Sequence, residues 1–413
     1  MVAAELPPPA ATLGRIAWLR RNLFSSWANS LVTLVLGSSL VLLAVLTLQW
    51  ALTSARWGVI SANFRIFLMW AYPFDQAWRV WLSLALLSFI AGVTGAGSRI
   101  GPMRTLAIWL AAGQALLAGL AIVSGIESIA FEEPGAQGVE LFVIAVGLLV
   151  NSAIVFLGMA VGTRTRMPRG VVGVAWLSWL PLTLLLLQGG AGPLEFVPTN
   201  VWGGLLLTFL LAITSIVVSF PLGVLLALGR RSDLPVVRWL CATYIEVIRG
   251  VPLVTILFMA AVLLPFFLPG GIRPDHLYRA IAGLTLFSAA YVAENVRGGL
   301  QAIPSGQVEA AHAIGLNTIQ TNLYIVLPQA LRAVIPANVG LFISLLKDTT
   351  LVAIAGTGLL EVLGIAQSVV AQPQWLGAYI EVYLFVSAVF FVMCYTMSQA
   401  SYRLEAVMGV GKR

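Results

Sequence analysis

The sequence predicts an all-α protein, a polytopic transmembrane helical bundle of about ten spans. Three observations carry this. First, 60% of the 413 residues are hydrophobic and only 9% are charged, with mean hydropathy +0.96, where a soluble domain is about 25% charged. Second, apolar stretches recur that reach the roughly 20 residues a helix needs to cross the hydrocarbon core. Third, most of the arginines sit near the ends of those stretches. The formal net charge of +7 therefore reads as orientation in a membrane rather than as a nucleic-acid footprint.

The expected spans are 30–51, 80–97, 105–124, 141–163, 171–188, 201–228, 251–269, 279–297, 333–356 and 378–400. The first follows a tail, 1–29, that contains proline and arginine. It is too long for a signal-peptide core and is read as a retained span. Placing the N-terminus in the cytoplasm puts Arg15, Arg20, Arg21, Arg99, Arg104, Arg164, Arg166, Arg169, Arg230, Arg231, Arg238, Arg249, Arg297, Arg332, Lys347, Arg403, Lys412 and Arg413 inside. Only Arg56, Arg65, Arg79, Arg273 and Arg279 remain outside, so both termini are expected in the cytoplasm. The stretch 52–79 reads as an outer, partly re-entrant or interfacial segment. Glu127, Glu132, Glu133 and Glu140 form an acidic outer loop, either a solvated face or a docking surface. Cys241 and Cys394 form no spaced pattern, so neither a disulfide framework nor a metal site is expected. His276 and His312 read as surface residues without ligand partners.

One polar stretch interrupts the apolar run, from Glu309 to Pro328. Pro304, Ser305 and Gly306 read as a helix entry with Ser305 as the cap. Glu309 then falls in the first turn, where a negative charge suits the helix dipole. Ala310, Ala311, Ala313 and Gly315 are small enough to let another protein approach the backbone. Glu309-Ala310-Ala311, three residues, Gly315, nine residues, then Ile325-x-Leu327-Pro328 resembles the EAA loop of binding-protein-dependent ABC importer permeases. In that family the loop sits in a groove of the ATPase subunit. A glycine- and proline-rich linker near 190–200 marks where the wider resemblance begins. From there the order of motifs is similar to the polar-amino-acid branch, and residues 201–261 and 290–350 are similar to the M-type subunit of general L-amino-acid importers. The resemblance implies three regions: a cytoplasmic tail at 1–29, an extra transmembrane module at 30–195, and a five-span permease core at 196–413 with the coupling loop at 304–332.

Two copies of E-x-x-R-G, Glu246 to Gly250 and Glu294 to Gly298, flank the seventh expected span. At i, i+3 on a helix the glutamate and arginine face the same way and can pair. Charges at membrane depth are costly unless paired or facing a wet cavity. The two copies are therefore either part of a path or gate, or interfacial ion pairs that orient two helices. The resemblance implies the first reading, since Arg249-Gly250-Val251-Pro252-Leu253 and Ala290 to Gly299, including Tyr291, are similar to stretches lining the inner path. Relatives usually carry threonine where Val251 stands. Lys347-Asp348-Thr349-Thr350 is similar to another family segment. Its charges and hydroxyls suit the charged ends of an amino acid, or an ion pair with Glu294 or Arg297. Tyr244 and Tyr291 suit either the cavity or the interface.

A phosphate-binding loop needs Gly-Lys followed by Ser or Thr, and neither Lys347 nor Lys412 has that setting. The chain is thus not expected to hydrolyse ATP by that route. The resemblance implies a transport subunit and not an enzyme, with no catalytic, metal or cofactor-binding residue, and Mg-ATP held by a partner ATPase homodimer. The remaining expected partners are a sister permease in a heterodimer, a periplasmic amino-acid-binding protein, the L-amino-acid substrate with broad specificity, and the bilayer of the bacterial inner membrane. The competing class, a secondary transporter driven by an ion gradient, would place isolated acids in mid-span and show inverted repeats. A membrane-embedded enzyme would need a nucleophile or metal cluster at depth.

Overall fold

The computed structural model describes residues 14–97, 101–131, 136–165, 167–190 and 192–408. Arg99, Arg166, Lys412 and Arg413 of the orientation argument, and Glu132 and Glu133 of the acidic loop, lie outside the described residues, as does the side chain of Glu127. The all-α expectation holds: among the described residues there is no strand, only one bridge between Gly204 and Glu361.

The chain divides into two compact units, Met1–Trp57 and Gly58–Arg413. The first holds α1 (Arg15–Asn22) and α2 (Trp27–Thr53). Ser26 caps α2, its hydroxyl accepting from the Asn29 amide at 3.2 Å. The 27 residues of α2 carry no charge and are mostly apolar, and none of them is buried, which suits a helix whose surroundings are hydrocarbon.

The second unit continues with α3 (Gly58–Met69), α4 (Trp78–Gly97), α5 (Gly101–Phe131), α6 (Ala136–Arg164) and α7 (Arg169–Gln188). Then come α8 (Gly204–Arg230), α9 (Pro235–Arg249), α10 (Leu253–Phe258), α11 (Leu264–Phe267) and α12 (His276–Gln301). The cap of α12 is Asp275, which accepts from the Leu277 amide. The polar stretch forms α13 (Ser305–Ala313), α14 (Thr318–Gln320) and α15 (Leu327–Ala333). Beyond it lie α16 (Ile335–Asp348), α17 (Leu351–Ile354), α18 (Val362–Val370) and α19 (Tyr379–Met408).

Among the described residues, seven helices are long and apolar enough to cross a membrane, or up to nine if each of two bent pairs counts as one span. The expected span outside this count, 279–297, corresponds to α12, whose apolarity is diluted by Arg279, Glu294 and Arg297. Its 26 residues reach about 39 Å at 1.5 Å per residue, and half of them are buried. It lies against α8, where a Cβ at Gly223 would fall 2.5 Å from Val292 and 2.8 Å from the Ala289 carbonyl. A glycine is therefore needed for the two backbones to come this close.

Two expected spans, 251–269 and 333–356, begin at bends from the helix before them. The stretch over Pro235–Gly250 and Leu253–Phe267 bends by 108°, because Pro252 pushes Val251 out of the helical region. The stretch over Thr318–Ala333 and Ile335–Asp348 bends by 58° at Val334, and the helix ends at Asp348 rather than running to 356.

The stretches expected outside contain buried helices. In α3, Val59, Phe64 and Phe67 are fully buried, and in α18 so are Ile365, Ala366 and Val369. Both join one hydrophobic cluster with Ala118, Ile144, Leu205 and Val382. That cluster draws on both sides of residue 195, so the extra spans and the expected core share an interior.

Candidate functional site

Another hydrophobic cluster gathers the ends of α8, α9 and α12 with the polar stretch. Ala227, Ile245, Val292, Ala293, Val296, Leu300, Val326, Ala330 and Val334 are its buried members. On its edge sits a charge network. Arg230, in the last turn of α8, reaches Glu246 of α9 at 2.8 Å and Glu294 of α12 at 3.6 Å. Arg249, in the last turn of α9, reaches Glu294 at 3.4 Å. Arg297, one turn below, donates through Nε to Glu294 at 3.0 Å and through a terminal nitrogen to Gln301 at 2.7 Å.

Glu294 therefore faces three guanidinium groups with its side chain only 22% exposed, while Glu246 has one partner and is 59% exposed. The i, i+3 pairing expected of both repeats forms only in the second. In the first, Glu246 turns to Arg230 and Arg249 turns to the other repeat, so the two copies are cross-linked through Glu294. Arg230 completes the network and was not singled out by either motif. Its only sequence signal is position, an arginine closing the helix that precedes α9. The Arg249 guanidinium also lies 5.6 Å from the Tyr291 ring centre, a cation–π geometry. Tyr291 itself packs on Phe287 with ring centres 4.8 Å apart. Tyr244 is not free to line a cavity with its hydroxyl, which donates to the Leu286 carbonyl at 2.7 Å.

The Lys347 segment does not join this network. Among the described residues neither Lys347 nor Asp348 forms an ion pair with Glu294 or Arg297. Lys347 is exposed and Asp348 half-buried. Thr349 is fully buried with its hydroxyl donating to the Leu346 carbonyl at 2.7 Å, and Thr350 donates likewise to the Lys347 carbonyl. These hydroxyls are satisfied within their own helix turn, as is common for Ser and Thr in apolar surroundings. Deeper in the bundle, Asn295 of α12 donates to Asn338 of α16 at 3.0 Å.

In the polar stretch, α13 begins at Ser305 with Pro304 as its cap position, and no side chain caps it. The expected Ser305 cap is therefore absent, and Glu309 lies beyond the first turn rather than in it. The cause is Pro304, whose fixed φ already directs the chain into the helix. Glu309, Ala310 and Gly315 are exposed, and Ala311 is buried. Gly315 has φ +87° with nothing within 4 Å of where a Cβ would stand. It ends the helix in the left-handed region, where glycine is favoured. Asn317 and Gln320 then form a reciprocal capping box that starts α14. A π-helical turn spans Thr321–Val326 and includes Ile325. Pro328 follows one residue after Leu327 and cannot donate to the carbonyl four residues back, which accounts for the widened turn.

Ile314, Ile319, Leu323 and Tyr324 stand exposed around this loop, an apolar surface that motif spacing did not indicate. On the expected outer side, Glu140 pairs with Arg65 at 2.8 Å and so belongs to a structural contact. His276 bonds the Thr357 carbonyl and His312 the Leu316 carbonyl. Both are exposed, and among the described residues no cluster of metal-binding side chains occurs.

Residues 219–404 match the family described as binding-protein-dependent transport system inner membrane component. The glutamate/glutamine/aspartate/asparagine transport system permease protein BztC of Rhodobacter capsulatus is 37% identical, over 97% of this chain and 95% of its own. The inner membrane amino-acid ABC transporter permease protein YhdY of Escherichia coli is 35% identical, over 96% and 94%. The probable glutamine ABC transporter permease protein GlnP of Bacillus subtilis is 38% identical, over 50% of this chain and 92% of its own. Nearly the whole chain thus has a counterpart in the two long relatives, and half of it in the short one.

Proposed function

The chain belongs to the family of binding-protein-dependent transport system inner membrane components, and from that premise we propose that it moves L-amino acids across the bacterial cytoplasmic membrane. In this reading both termini and the Glu309–Pro328 loop lie in the cytoplasm. The energy comes from Mg-ATP on a separate ATPase homodimer, a periplasmic binding protein delivers the substrate, and a sister permease completes the path. Specificity is broad, because the choice of amino acid rests largely with the binding protein. Region 30–195 braces the transport core laterally.

The observation that carries the reading is the hydrophobic cluster beneath the charge network. Val326 and Ala330, from the loop segment, share it with Ile245 and Val296. Ile245 neighbours Glu246, and Val296 neighbours Arg297. A Cβ at Gly299 would fall 2.7 Å from the Ala330 carbonyl, so loop and α12 move as one packed body. When the ATPases close, the loop carries the inner end of α12 with it and displaces Glu294 from Arg230 and Arg249. That is a rigid-body route to alternating access, with the network as the inner gate.

The test is purification of tagged chain from its native membrane in mild detergent, with identification of what accompanies it. An accompanying P-loop ATPase, lost in Gly315→Trp while the variant still inserts, supports the assignment. A chain that purifies alone and transports amino acids under an ion gradient in liposomes refutes it in favour of the secondary-transporter class.

A further inference from the structure

The helix that carries two members of the charge network also has a face that nothing in the structure covers. In α9, Val236, Trp239, Leu240, Thr243 and Val247 recur at helical spacing and lie within about 100° of one another at 100° per residue. Val236, Trp239, Leu240 and Val247 are each more than half exposed, Trp239 at 65%. The protein side of α9 lies elsewhere on the helix. Ile245 is buried in the inner hydrophobic cluster, Tyr244 is bonded to Leu286, and Cys241 sits where a Gly229 Cβ would meet it at 2.5 Å. Between these two faces runs a polar wedge of Arg238, Ala242, Glu246 and Arg249. The helix turns by 108° into the segment that follows.

The charges along this stretch sort by partner. Arg230 and Arg249 are engaged with Glu246 and Glu294. Arg231 reaches only a backbone carbonyl, that of Leu300, at 3.5 Å. Asp233 and Arg238 are exposed, and neither forms an ion pair among the described residues. Arg238 precedes Trp239 in sequence and stands about 100° round the helix from it, in the polar wedge and exposed. An exposed indole on one apolar face, with a long arginine side chain free to reach the headgroups from the neighbouring face, is the arrangement that lies in a headgroup–acyl boundary.

We propose that the exposed face of α9 is a binding surface for anionic phospholipid. Val236, Trp239, Leu240 and Val247 lie among the first acyl carbons of the leaflet, and Arg238 holds the phosphate of a negatively charged headgroup. The arginine distribution makes this the cytoplasmic leaflet, the one whose anionic lipids attract such cations. The competing occupant of an apolar helix face, a sister permease, would not call for an exposed arginine on the same helix that pairs with no carboxylate among the described residues. The inference needs only a bilayer and stands apart from the transported substrate. Its consequence is that the lipid contacts the same 15-residue helix that carries Glu246 and Arg249, so leaflet composition bears on the charge network.

The test places a bimane fluorophore at Leu240→Cys in the full chain, with Cys241→Ser and Cys394→Ser removing the native thiols. The chain is purified with whatever subunits accompany it and reconstituted with phospholipid brominated near the glycerol. Brominated phosphatidylglycerol and brominated phosphatidylcholine are compared at equal mole fraction. The expected result is quenching by both, at least twofold stronger for phosphatidylglycerol, with the difference abolished by Arg238→Gln. A fluorophore at Val247→Cys should report the same quenching and guards against a local defect at 240. No quenching by either lipid, with no access to aqueous iodide, means a protein subunit covers the face and overturns the proposal. Quenching by iodide alone means water covers it and overturns it equally. Equal quenching by the two lipids, unchanged in Arg238→Gln, overturns the anionic headgroup site.

Discussion

If Glu294 is the hub of an inner gate, its charge should matter far more than that of Glu246, although both belong to the same motif. In Glu294→Gln the side-chain volume is kept while three arginines lose their shared carboxylate. The network of Arg230, Arg249, Arg297, Glu246 and Glu294 carries three positive and two negative charges, hence +1, and the substitution leaves +2. Each partly exposed ion pair contributes about 0.5–1 kcal/mol. Arg297 lies on the same helix and moves with Glu294, so the two contacts that opening breaks, to Arg230 and Arg249, amount to about 1–2 kcal/mol, a shift of roughly 5- to 30-fold in the closed–open balance at 1.4 kcal/mol per tenfold. Glu246 is 59% exposed with a single partner at 2.8 Å, so Glu246→Gln should shift the balance by about threefold or less. The assay is ATP hydrolysis by the assembled transporter in proteoliposomes, with and without binding protein and substrate. Glu294→Gln should raise hydrolysis in their absence and lower uptake per ATP, whereas Glu246→Gln should stay close to wild type. Residues of one network couple, so Glu294→Gln combined with Arg249→Gln should be milder than the product of the single effects. Equal effects of the two glutamates, or strictly multiplicative effects in the double variant, would refute the hub. An unchanged ATPase with a lowered thermal midpoint would return the network to an orienting role.

Three further outcomes are expected. Gly315 has φ +87° and open space around it, so Gly315→Ala should cost only the left-handed strain of about 1–2 kcal/mol and Gly315→Asn less, both retaining the ATPase on purification. Loss of the ATPase in the asparagine variant would show that more than backbone conformation is at stake. Gly223→Val drives a side chain into Val292 and should destabilise by about 1–3 kcal/mol through overpacking, read as a lower thermal midpoint in detergent. Gly298→Ala, on the same helix as Val292 with nothing within 4 Å, is the near-neutral control. Glu361 is fully buried at the start of α18, where burial pushes its carboxyl up to about 7 although it accepts from the Leu363 and Gly364 amides. Its folded pKa lies above the ordinary value, so its contribution is complete below about pH 4.5 and is lost as pH rises through 7. The thermal midpoint should fall between pH 5.5 and 8, and Glu361→Gln should flatten that slope; an unaltered slope would remove Glu361 from the pH dependence.

The helical class and most of the spans were legible because hydrocarbon imposes the same demand on every lipid-facing segment, a long apolar run. What escaped is what hydrocarbon does not touch. In α3 and α18 the chain is too short to span, yet Phe64, Phe67, Ile365 and Val369 are enclosed by neighbouring helices, and a 12- or 9-residue helix leaves no length signature. The bends at Pro252 and Val334 were hidden for a related reason. Hydropathy averages over a proline, while the backbone before it does not. At the site, the motifs named Glu246, Arg249, Glu294 and Arg297 correctly as a group of charges, but their partners depend on tertiary placement. The i, i+3 rule describes one isolated helix, and Arg230 competes successfully for Glu246 from another. At the Lys347 segment the residue types suited both a ligand and an ion pair, and sequence could not show that Lys347 and Asp348 stay apart from Glu294 and Arg297 while Thr349 donates its hydroxyl to its own turn.

The helix that least resembles a membrane span is the one that the bundle surrounds. Arg279, Glu294 and Arg297 lower the apolarity of α12, yet Gly283, Ala289, Ala290, Ala293 and Gly299 keep its buried face narrow. Small residues let α8 and the loop segment come close, and that closeness brings Arg230 and Arg249 within reach of Glu294, which Arg297 of the same helix already meets. A bulkier, more apolar α12 would have been easier to recognise as a span but would hold Glu294 away from Arg230 and Arg249. The same glycines and alanines transmit displacement, because a close-packed contact has no slack to absorb it. Sensitivity to volume should therefore follow the α8–α12–loop contacts, at Gly223 and Gly299. Sensitivity to charge should concentrate at Glu294, at the inner end of that path.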